Sequence, residues 1–173
     1  MKFLIFITAF LLFFATSTSV YAEEVNNTYL QQINLDVQAD SSIYVPKGTG
    51  KVTDRSMGDE DLSKFYDIVK SDFNSHNVGI NPNSNIHLIV TVTDVKKVPQ
   101  FSFGLSGGKS FIKAKIVLLK GEKVIVTDSV YGESSSSTPI FRTNNPFEGA
   151  MKEASASIMR KILPIIIPGF PTK

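Results

Sequence analysis

Residues 110–119 carry the feature that most constrains the fold, which is an alternation of apolar and mixed positions. One set of alternate positions is wholly apolar and consists of Ile112, Ala114, Ile116 and Leu118. The set between them includes Lys113 and Lys115. Because successive side chains of a strand point to opposite faces, this pattern predicts a β-strand with one buried face. In a helix the two lysines would interrupt any single apolar stripe.

The flanking segments extend this strand into a meander. Residues 120–123 are polar and contain a glycine, so they predict a hairpin turn. Residues 124–131 resume the alternation, with Asp128 expected at the rim of the sheet or at a bulge. Residues 86–95, upstream, alternate as clearly. Three consecutive antiparallel strands are therefore predicted in the middle of the chain.

The segments before the meander predict one strand and an irregular connection. Residues 32–38 alternate in the same way and predict a first strand. Residues 40–58 contain a proline and several glycines, which predicts a connection with at most a short strand at residues 43–45. Residues 77–85 predict a turn that leads into the meander.

Two segments show helical spacing. The first helix is predicted over residues 59–75, where Ser56 and Asp59 resemble a capping box. The second is predicted to begin after Asn145 as the cap, with a proline in the first helical position, and to end before Pro164. The apolar side chains at helical spacing are Leu62, Phe65, Tyr66, Val69 and Phe73 in the first helix, and Phe147, Ala150, Met151, Ala154, Ile158 and Ile162 in the second.

The order of elements predicts the fold class. It is an α+β fold, β-α-β-β-β-α, with two helices packed on one face of a mostly antiparallel sheet. Residues 132–145 are expected to form a polar loop before the second helix. The apolar, proline-rich tail at residues 164–173 is expected to fold back as an edge strand or a cover. The alternative is an exposed segment that docks on another protein or on a membrane surface.

The first residues have the pattern of a signal peptide. Lys2 precedes an apolar run at residues 3–14, and small residues at positions 20 and 22 predict cleavage after Ala22. The remaining residues, 23–173, are expected to form a single domain. The alternative is an uncleaved N-terminal anchor, but the apolar run is short for a membrane span of about 20 residues. The protein is therefore expected to be exported, either to the periplasm or as a secreted protein.

Charge and cysteine content exclude several classes of function. Without residues 1–22 the chain has 17 basic and 16 acidic residues, which argues against a nucleic-acid-binding protein. The chain has no cysteine, so thiol catalysis, thiolate metal sites and a lipid-modified cysteine are excluded. A domain of about 150 residues can be stable through its apolar core alone.

Glycine-rich residues 103–110 resemble a phosphate-binding loop only superficially. The motif requires a glycine where Phe103 stands, and residues after Lys109 predict a strand where the motif has a helix. No nucleotide and no other cofactor is therefore expected. The two histidines, His76 and His87, have no acidic residues at metal-ligand spacing, so no metal site and no catalytic residue is predicted. A hydrolase with an unrecognised site around His87 stays as a minor alternative.

Four consecutive features of the chain together resemble a known group. They are the run from Phe103 to Lys109, the alternating strand and hairpin after it, the segment Val-Tyr-Gly-Glu-Ser-Ser-Ser at 130–136, and the final helix. They look like a bacterial envelope family of lipoproteins classed as a domain of unknown function. They also resemble, more loosely, the small α+β domains of outer-membrane assembly and secretion lipoproteins. The resemblance covers residues 34–163 and implies no catalytic residues. The chain departs from the family in having no cysteine for lipid attachment.

These observations favour a non-enzymatic interaction or assembly module of the bacterial cell envelope. Its partner is expected to be another envelope protein, bound by addition of a strand to an exposed sheet edge, with membrane contact at most peripheral. The alternative is a carrier that holds a small apolar ligand between sheet and helices. The predicted partner-binding residues are apolar and lie in the glycine-rich segment and the tail: Phe101, Phe103, Leu105, Ile166 and Phe170.

Overall fold

The computed structural model describes residues 31–98, 108–135 and 145–170. The predicted signal peptide and its cleavage site lie outside these residues. In chain order the described elements are β1 (Gln31–Ala39), α1 (Asp59–Ser75), β2 (Val78–Ile80), β3 (Ile86–Lys96), β4 (Lys109–Lys120), β5 (Lys123–Ser135) and α2 (Pro146–Ile166). The predicted α+β class is confirmed.

The five described strands form one sheet in the order β2-β1-β3-β4-β5. The strands β3, β4 and β5 are the predicted antiparallel meander, in which Ile116 lies opposite Val90 on one side and Asp128 on the other. The strand β1 lies parallel to both β2 and β3, and these pairings are shorter. The sheet is therefore mostly antiparallel, with a parallel portion that the connection through α1 makes possible.

Both helices cover the same face of the sheet. The helix α1 packs against β1 and β2, and α2 packs against β4 and β5. The apolar set of β4 lies under α2 and is at most 1% exposed. The largest fully buried side chains come from every layer of this arrangement: Phe65, Phe73, Ile33, Met57, Leu88, Ile112, Ile116, Leu118, Met151, Ile158, Ile162 and Leu163. Burial of this apolar surface is the main term that stabilises the fold.

Several predicted boundaries are corrected. The loop expected at residues 132–145 begins later, because β5 continues to Ser135 through pairing with the start of β4. The turn expected at residues 77–85 contains the strand β2, which is three residues long and too short to show alternation. Within the described residues, the short strand expected at 43–45 is reduced to a single bridge between Tyr44 and Met57.

The helix α1 has the predicted bounds but a different cap. Gly58 is the N-cap, and its backbone N–H donates to the Asp61 carboxylate at 3.1 Å. Ser56 instead accepts from the backbone N–H of Thr53 at 2.7 Å. The predicted pairing of Ser56 with Asp59 is therefore wrong, because Ser56 is held in the preceding turn.

The helix α2 begins as predicted but does not end before Pro164. The Asn145 side chain accepts from the Phe147 N–H at 3.0 Å and caps the start. The helix continues through Pro164 to Ile166, which is only 5% exposed. A proline inside a helix removes one backbone hydrogen bond. The burial of Ile166 against the core offsets that loss.

Candidate functional site

The open face, which is the side of the sheet away from both helices, is not covered by any of the described residues. It has a half-buried apolar centre formed by Ile89, Val117 and Leu119. Polar and charged side chains of the same face surround this centre: Asn34, Asp36, Gln38, His87, Thr91, Lys113, Lys115, Thr127, Ser129 and Tyr131. A sheet face with an apolar centre and a polar margin has the composition of a protein interface.

Aromatic and cationic side chains meet at the loop end of the open face, where β3 ends and β4 begins. The Phe111 ring lies 6.0 Å from the Tyr131 ring. The Lys113 ammonium group lies 5.4 Å from the centre of the Phe111 ring, and the Arg55 guanidinium group lies 5.6 Å from it. Cations at these distances interact favourably with the ring. We name these four residues the aromatic-cation cluster.

Two carboxylates hold the cluster in place. Asp94 lies 3.5 Å from the Lys113 Nζ and 3.9 Å from the Arg55 Nη1. Glu133 accepts from the Lys109 Nζ at 2.6 Å and from the Tyr131 hydroxyl at 2.6 Å. These two hydrogen bonds lower the pKa of Glu133, and the bond from Lys109 has the larger effect. The hydrogen bond to the Glu133 carboxylate in turn raises the pKa of Tyr131. The Tyr131 hydroxyl is therefore a proton donor with no tendency to ionise at neutral pH.

Beside the cluster lies Lys115, a cation that has no partner among the described residues. Lys115 is exposed on the open face, two residues along β4 from Lys113, and forms no ion pair or hydrogen bond with the described residues. Thr91 and Ser129 lie opposite it on the two neighbouring strands. The cluster thus continues into a hydroxyl-flanked ammonium group that can bind an anionic side chain.

A shallow cavity of about 310 Å³ opens between Lys113 and Tyr131. Its other lining residues are Thr93, Ala114, Ser129 and Val130. The lining provides hydroxyl and ammonium donors, and it contains no carboxylate or imidazole. Among the described residues, no group of three or more histidines, cysteines or acids could hold a metal ion. The chemistry available here is hydrogen bonding and charge pairing.

The structure describes only two of the five predicted partner-binding residues. Phe101, Phe103 and Leu105 lie outside the described residues, in the sequence segment between β3 and β4. Val98, just before that segment, donates its backbone N–H to the Ser110 Oγ at 3.0 Å. Ile166 is buried, and its carbonyl accepts from the Gln31 side chain at 3.3 Å. The predicted grouping of these five residues stays a prediction.

The described part of the tail packs onto the domain. Phe170 is half-buried, and its ring lies 5.8 Å from the His76 ring. Of the two predicted forms, a cover or an edge strand, the described part of the tail is a cover at the end of the core. It is helical as far as Ile166. Partner binding by Ile166 and Phe170 stays a prediction.

Both described edges of the sheet have features that disfavour addition of a strand. The edge strand β2 has three residues. The other edge, β5, has a register shift that leaves Ile125 unpaired, and its Asp128 points to the covered face, where it pairs with Lys161. Bulges, short strands and inward-pointing charges are the usual protection of a sheet edge. The open face is therefore a better candidate surface than an edge.

The described residues do not show the geometry expected of an apolar-ligand carrier or of a hydrolase. The layer between sheet and helices is filled by buried side chains, and a second cavity of about 510 Å³ lies outside it, in a groove between α1 and α2. His76 caps the end of α1, whereas His87 lies on the open face. Lys109 and Ser110 begin a strand, as predicted. The apolar-ligand carrier and the hydrolase therefore gain no support.

Sequence reasoning did not identify the aromatic-cation cluster. Alternation alone places Phe111 and Lys113 on the mixed face of one strand. The hairpin register decides that Tyr131 lies opposite Lys113, and the connection after β1 brings Arg55 to them. The available signal in the sequence was Phe111 on the same mixed face as Lys113, two positions away.

No family model matches the sequence, and no curated protein matches it. Among solved structures, protein XCC0632 from Xanthomonas campestris, of the DUF330 family model, is similar with a TM-score of 0.52 and 15% identity, over 78% of this chain and 85% of that chain. A minor lipoprotein from Acinetobacter baumannii (TM-score 0.43, 13% identity, 78% of this chain and 92% of that chain) is also similar. So is lipoprotein GNA1162 from Neisseria meningitidis (TM-score 0.42, 10% identity, 77% of this chain and 98% of that chain).

At these identities the likeness concerns the fold alone. The fold shared with XCC0632 agrees with the α+β fold predicted from the sequence. The link to outer-membrane assembly and secretion proteins stays a prediction. This chain therefore shares the α+β architecture of XCC0632.

Proposed function

We propose that the chain is an exported, non-enzymatic binding domain of the bacterial cell envelope, and that it binds a partner protein on the loop end of its open face. The observation that carries this proposal is the aromatic-cation cluster on a sheet face left uncovered by the described residues. Export is supported by the signal pattern at residues 1–22 and by the resemblance to envelope proteins.

The chemistry of this surface favours an acidic partner segment. Tyrosine, phenylalanine and arginine are the residue types that dominate the energy of protein interfaces, and three members of the cluster are of these types. Among the described residues, basic side chains outnumber acidic ones on this part of the face: Lys109, Lys113, Lys115 and Arg55 are accompanied by Asp94 and Glu133. A partner carboxylate near Lys115 would pair with a charge that has no partner among the described residues.

The arrangement supports binding better than catalysis. Each ionisable group of the cluster is paired with an opposite charge or donates a hydrogen bond, and no histidine or carboxylate lines the cavity beside it. Interaction through such a surface needs no group with a pKa near neutrality, whereas general acid–base catalysis does.

Site-specific photo-crosslinking in native host cells tests the proposal. A photoreactive amino acid replaces Lys115 on the open face, and a matched variant carries it in place of Lys70, an exposed lysine on α1. We expect a discrete crosslinked product from position 115 alone. Equal products from both positions, or none from position 115, would contradict the proposal.

The purified partner then allows the residues to be ranked. Tyr131→Ala and Lys115→Glu are each expected to weaken binding about tenfold or more, because they remove an aromatic contact or reverse a charge. Lys70→Glu, the matched charge reversal on the helix layer, is expected to bind as the wild type does. Isothermal titration calorimetry at two salt concentrations separates the charge contribution from the aromatic one.

A further inference from the structure

The open face presents its side chains in rows, because residues that pair across neighbouring strands lie side by side on one face. From the β4–β5 hairpin toward the loop end, three consecutive rows are Ile89 with Val117, Thr91 with Lys115 and Ser129, and Asp94 with Lys113 and Tyr131. Successive rows are two residues of β4 apart, which is about 6.6–6.8 Å. They form a regular series that every second side chain of an extended segment can match.

The middle row can bind a carboxylate. Lys115 has no ion-pair or hydrogen-bond partner among the described residues. The Ser129 backbone N–H donates to Asp128, and the Ser129 hydroxyl has no partner in the same part of the chain. The Thr91 hydroxyl accepts from the Gln38 side chain at 3.1 Å and keeps its own proton for donation. Two hydroxyl groups and one ammonium group can therefore donate to an anionic side chain in this row.

The row on the loop side suits an aromatic side chain better than a second carboxylate. Asp94 lies 3.5 Å from the Lys113 Nζ and balances its charge. Tyr131 is 44% exposed, and the shallow cavity of about 310 Å³ opens between it and Lys113. This volume is at the lower limit for small-molecule sites, so it fits a single side chain. A ring in the cavity would contact both the Tyr131 ring and the Lys113 side chain.

The row on the hairpin side is apolar at its centre. Ile89 and Val117 are half-buried, and no layer of described residues covers them. An apolar side chain of a partner would remove their remaining surface from water. The three rows thus favour an apolar, an acidic and an aromatic side chain, in that order along β4.

We propose that the partner presents an extended segment along β4, with an apolar, an acidic and an aromatic residue at every second position. The acidic side chain lies at Lys115, and the aromatic side chain enters the cavity between Lys113 and Tyr131. Alternate side chains of an extended segment share one side and have the same spacing as the rows. This inference rests on the proposed function and adds to it the chemistry and the spacing of the segment that is bound.

Dye-labelled synthetic peptides test the spacing. Two probes carry leucine, glutamate and phenylalanine at alternate positions separated by serines, one in each order, because the segment can run in either direction along β4. The control peptide has the same composition with the three residues consecutive. Fluorescence anisotropy with the full chain is expected to show at least fivefold tighter binding for one of the probes than for the control. Equal binding by the control would overturn the proposal.

A double-mutant cycle tests which residue binds the acidic side chain. Glutamine in place of the peptide glutamate is expected to weaken binding to the wild type about two- to fivefold, the range for an exposed ion pair, and to leave binding to Lys115→Gln unchanged. Lys70→Gln, the matched control on α1, should respond as the wild type does. Circular dichroism verifies that each variant is folded. Equal losses with the wild type and Lys115→Gln would overturn the assignment of the acid to Lys115.

The peptides replace the native partner, so failure here is separable from failure of the proposed function. A discrete crosslink at position 115 without any spacing preference among the peptides would overturn this inference alone. No crosslink from position 115 would overturn both. Sedimentation velocity of the protein alone gives a further check: a dimer that Lys115→Glu dissociates would show a second copy on the open face and overturn the assignment to a partner segment.

Discussion

The two faces of β4 differ although they belong to one strand. On the covered face its side chains pack under α2 and are at most 1% exposed. On the open face Lys113 has 53% of its side chain exposed, and Val117 is half-buried with no layer of described residues above it. The comparison teaches that half of this strand stabilises the fold, whereas the other half is available for contacts outside the domain.

The contrast follows from the number of helices. Two helices can cover one face of a sheet of this width, so the second face remains open unless another layer packs on it. An antiparallel sheet can expose one face to water when that face is polar enough. The open face of β4 is intermediate in polarity between a fully covered face and a fully polar one, because it carries lysines as well as Val117 and Leu119. Mutations on the two faces should therefore differ in their effects.

The largest effect is expected from Gly132→Ala, on the covered face. A Cβ at Gly132 would lie 2.9 Å from the Cα of Ala154 and closer still to backbone atoms of Ala150 and Ala154. Because the obstacle is helix backbone, α2 would have to move off β5. We expect a loss of about 3 kcal/mol or more in the free energy of unfolding, measured by urea denaturation.

Gly50→Ala is the matched control for that variant. Its Cβ would lie 3.4 Å from a Val45 methyl group, which is an ordinary contact. We expect a change within about 0.5 kcal/mol. A Gly132→Ala protein as stable as Gly50→Ala would show that the two layers are not held closely at this crossing.

A smaller effect is expected from two neighbouring substitutions on β4. Ile116→Ala removes a side chain with 0% exposure and should destabilise the protein by about 2–4 kcal/mol. Val117→Ala, one residue along on the open face, should cost less than about 1 kcal/mol, because its site is already in contact with solvent. Equal losses in thermal denaturation would mean that another layer covers the open face in solution.

The smallest effect concerns the pH dependence of two carboxylates. Lys64 and Lys152 lie beside Glu148 in the helix layer and lower its pKa from 4.5 to about 2. A lowered pKa in the folded state stabilises the protein above the unfolded value, and this contribution is lost as the pH falls from 4.5 to about 2. Glu148→Gln should therefore lower the melting temperature by about 1–3 °C at pH 7 and by nothing near pH 2.

Glu133→Gln on the open face gives the comparison for this variant. The Lys109 ammonium group lowers the Glu133 pKa in the same direction, but Glu133 has one lysine partner among the described residues, whereas Glu148 has two. We expect a smaller difference from wild type across the same pH series. A larger pH effect at Glu133 than at Glu148 would place the stronger electrostatic coupling on the open face.

Local patterns predicted most elements but not how they meet. The alternation in residues 110–119 and 86–95 identified two strands, and apolar spacing identified α1, because each pattern needs only its own residues. The strand β2 was missed because it exists through pairing with β1. The end of α2 was misplaced because the local cost of Pro164 is offset by a distant contact of Ile166 with the core.

The candidate site was less predictable than the fold. The predicted aromatic residues Phe101 and Phe103 lie outside the described residues, so that prediction stays open. The described cluster depends on strand register, since Phe111 and Tyr131 are 20 positions apart in the sequence and their rings are 6.0 Å apart in the fold.

The sequence by itself determined which residues form strands and helices and which side of each element is apolar. These properties follow from the periodic spacing of apolar side chains, the conformational freedom of glycine and the fixed backbone angle of proline, all of which act over a few residues. Tertiary structure decided that β1 lies between β2 and β3, that the described residues leave one sheet face uncovered, and that aromatic and cationic groups meet at its loop end. Those outcomes depend on contacts between distant segments, whose energies no local pattern contains.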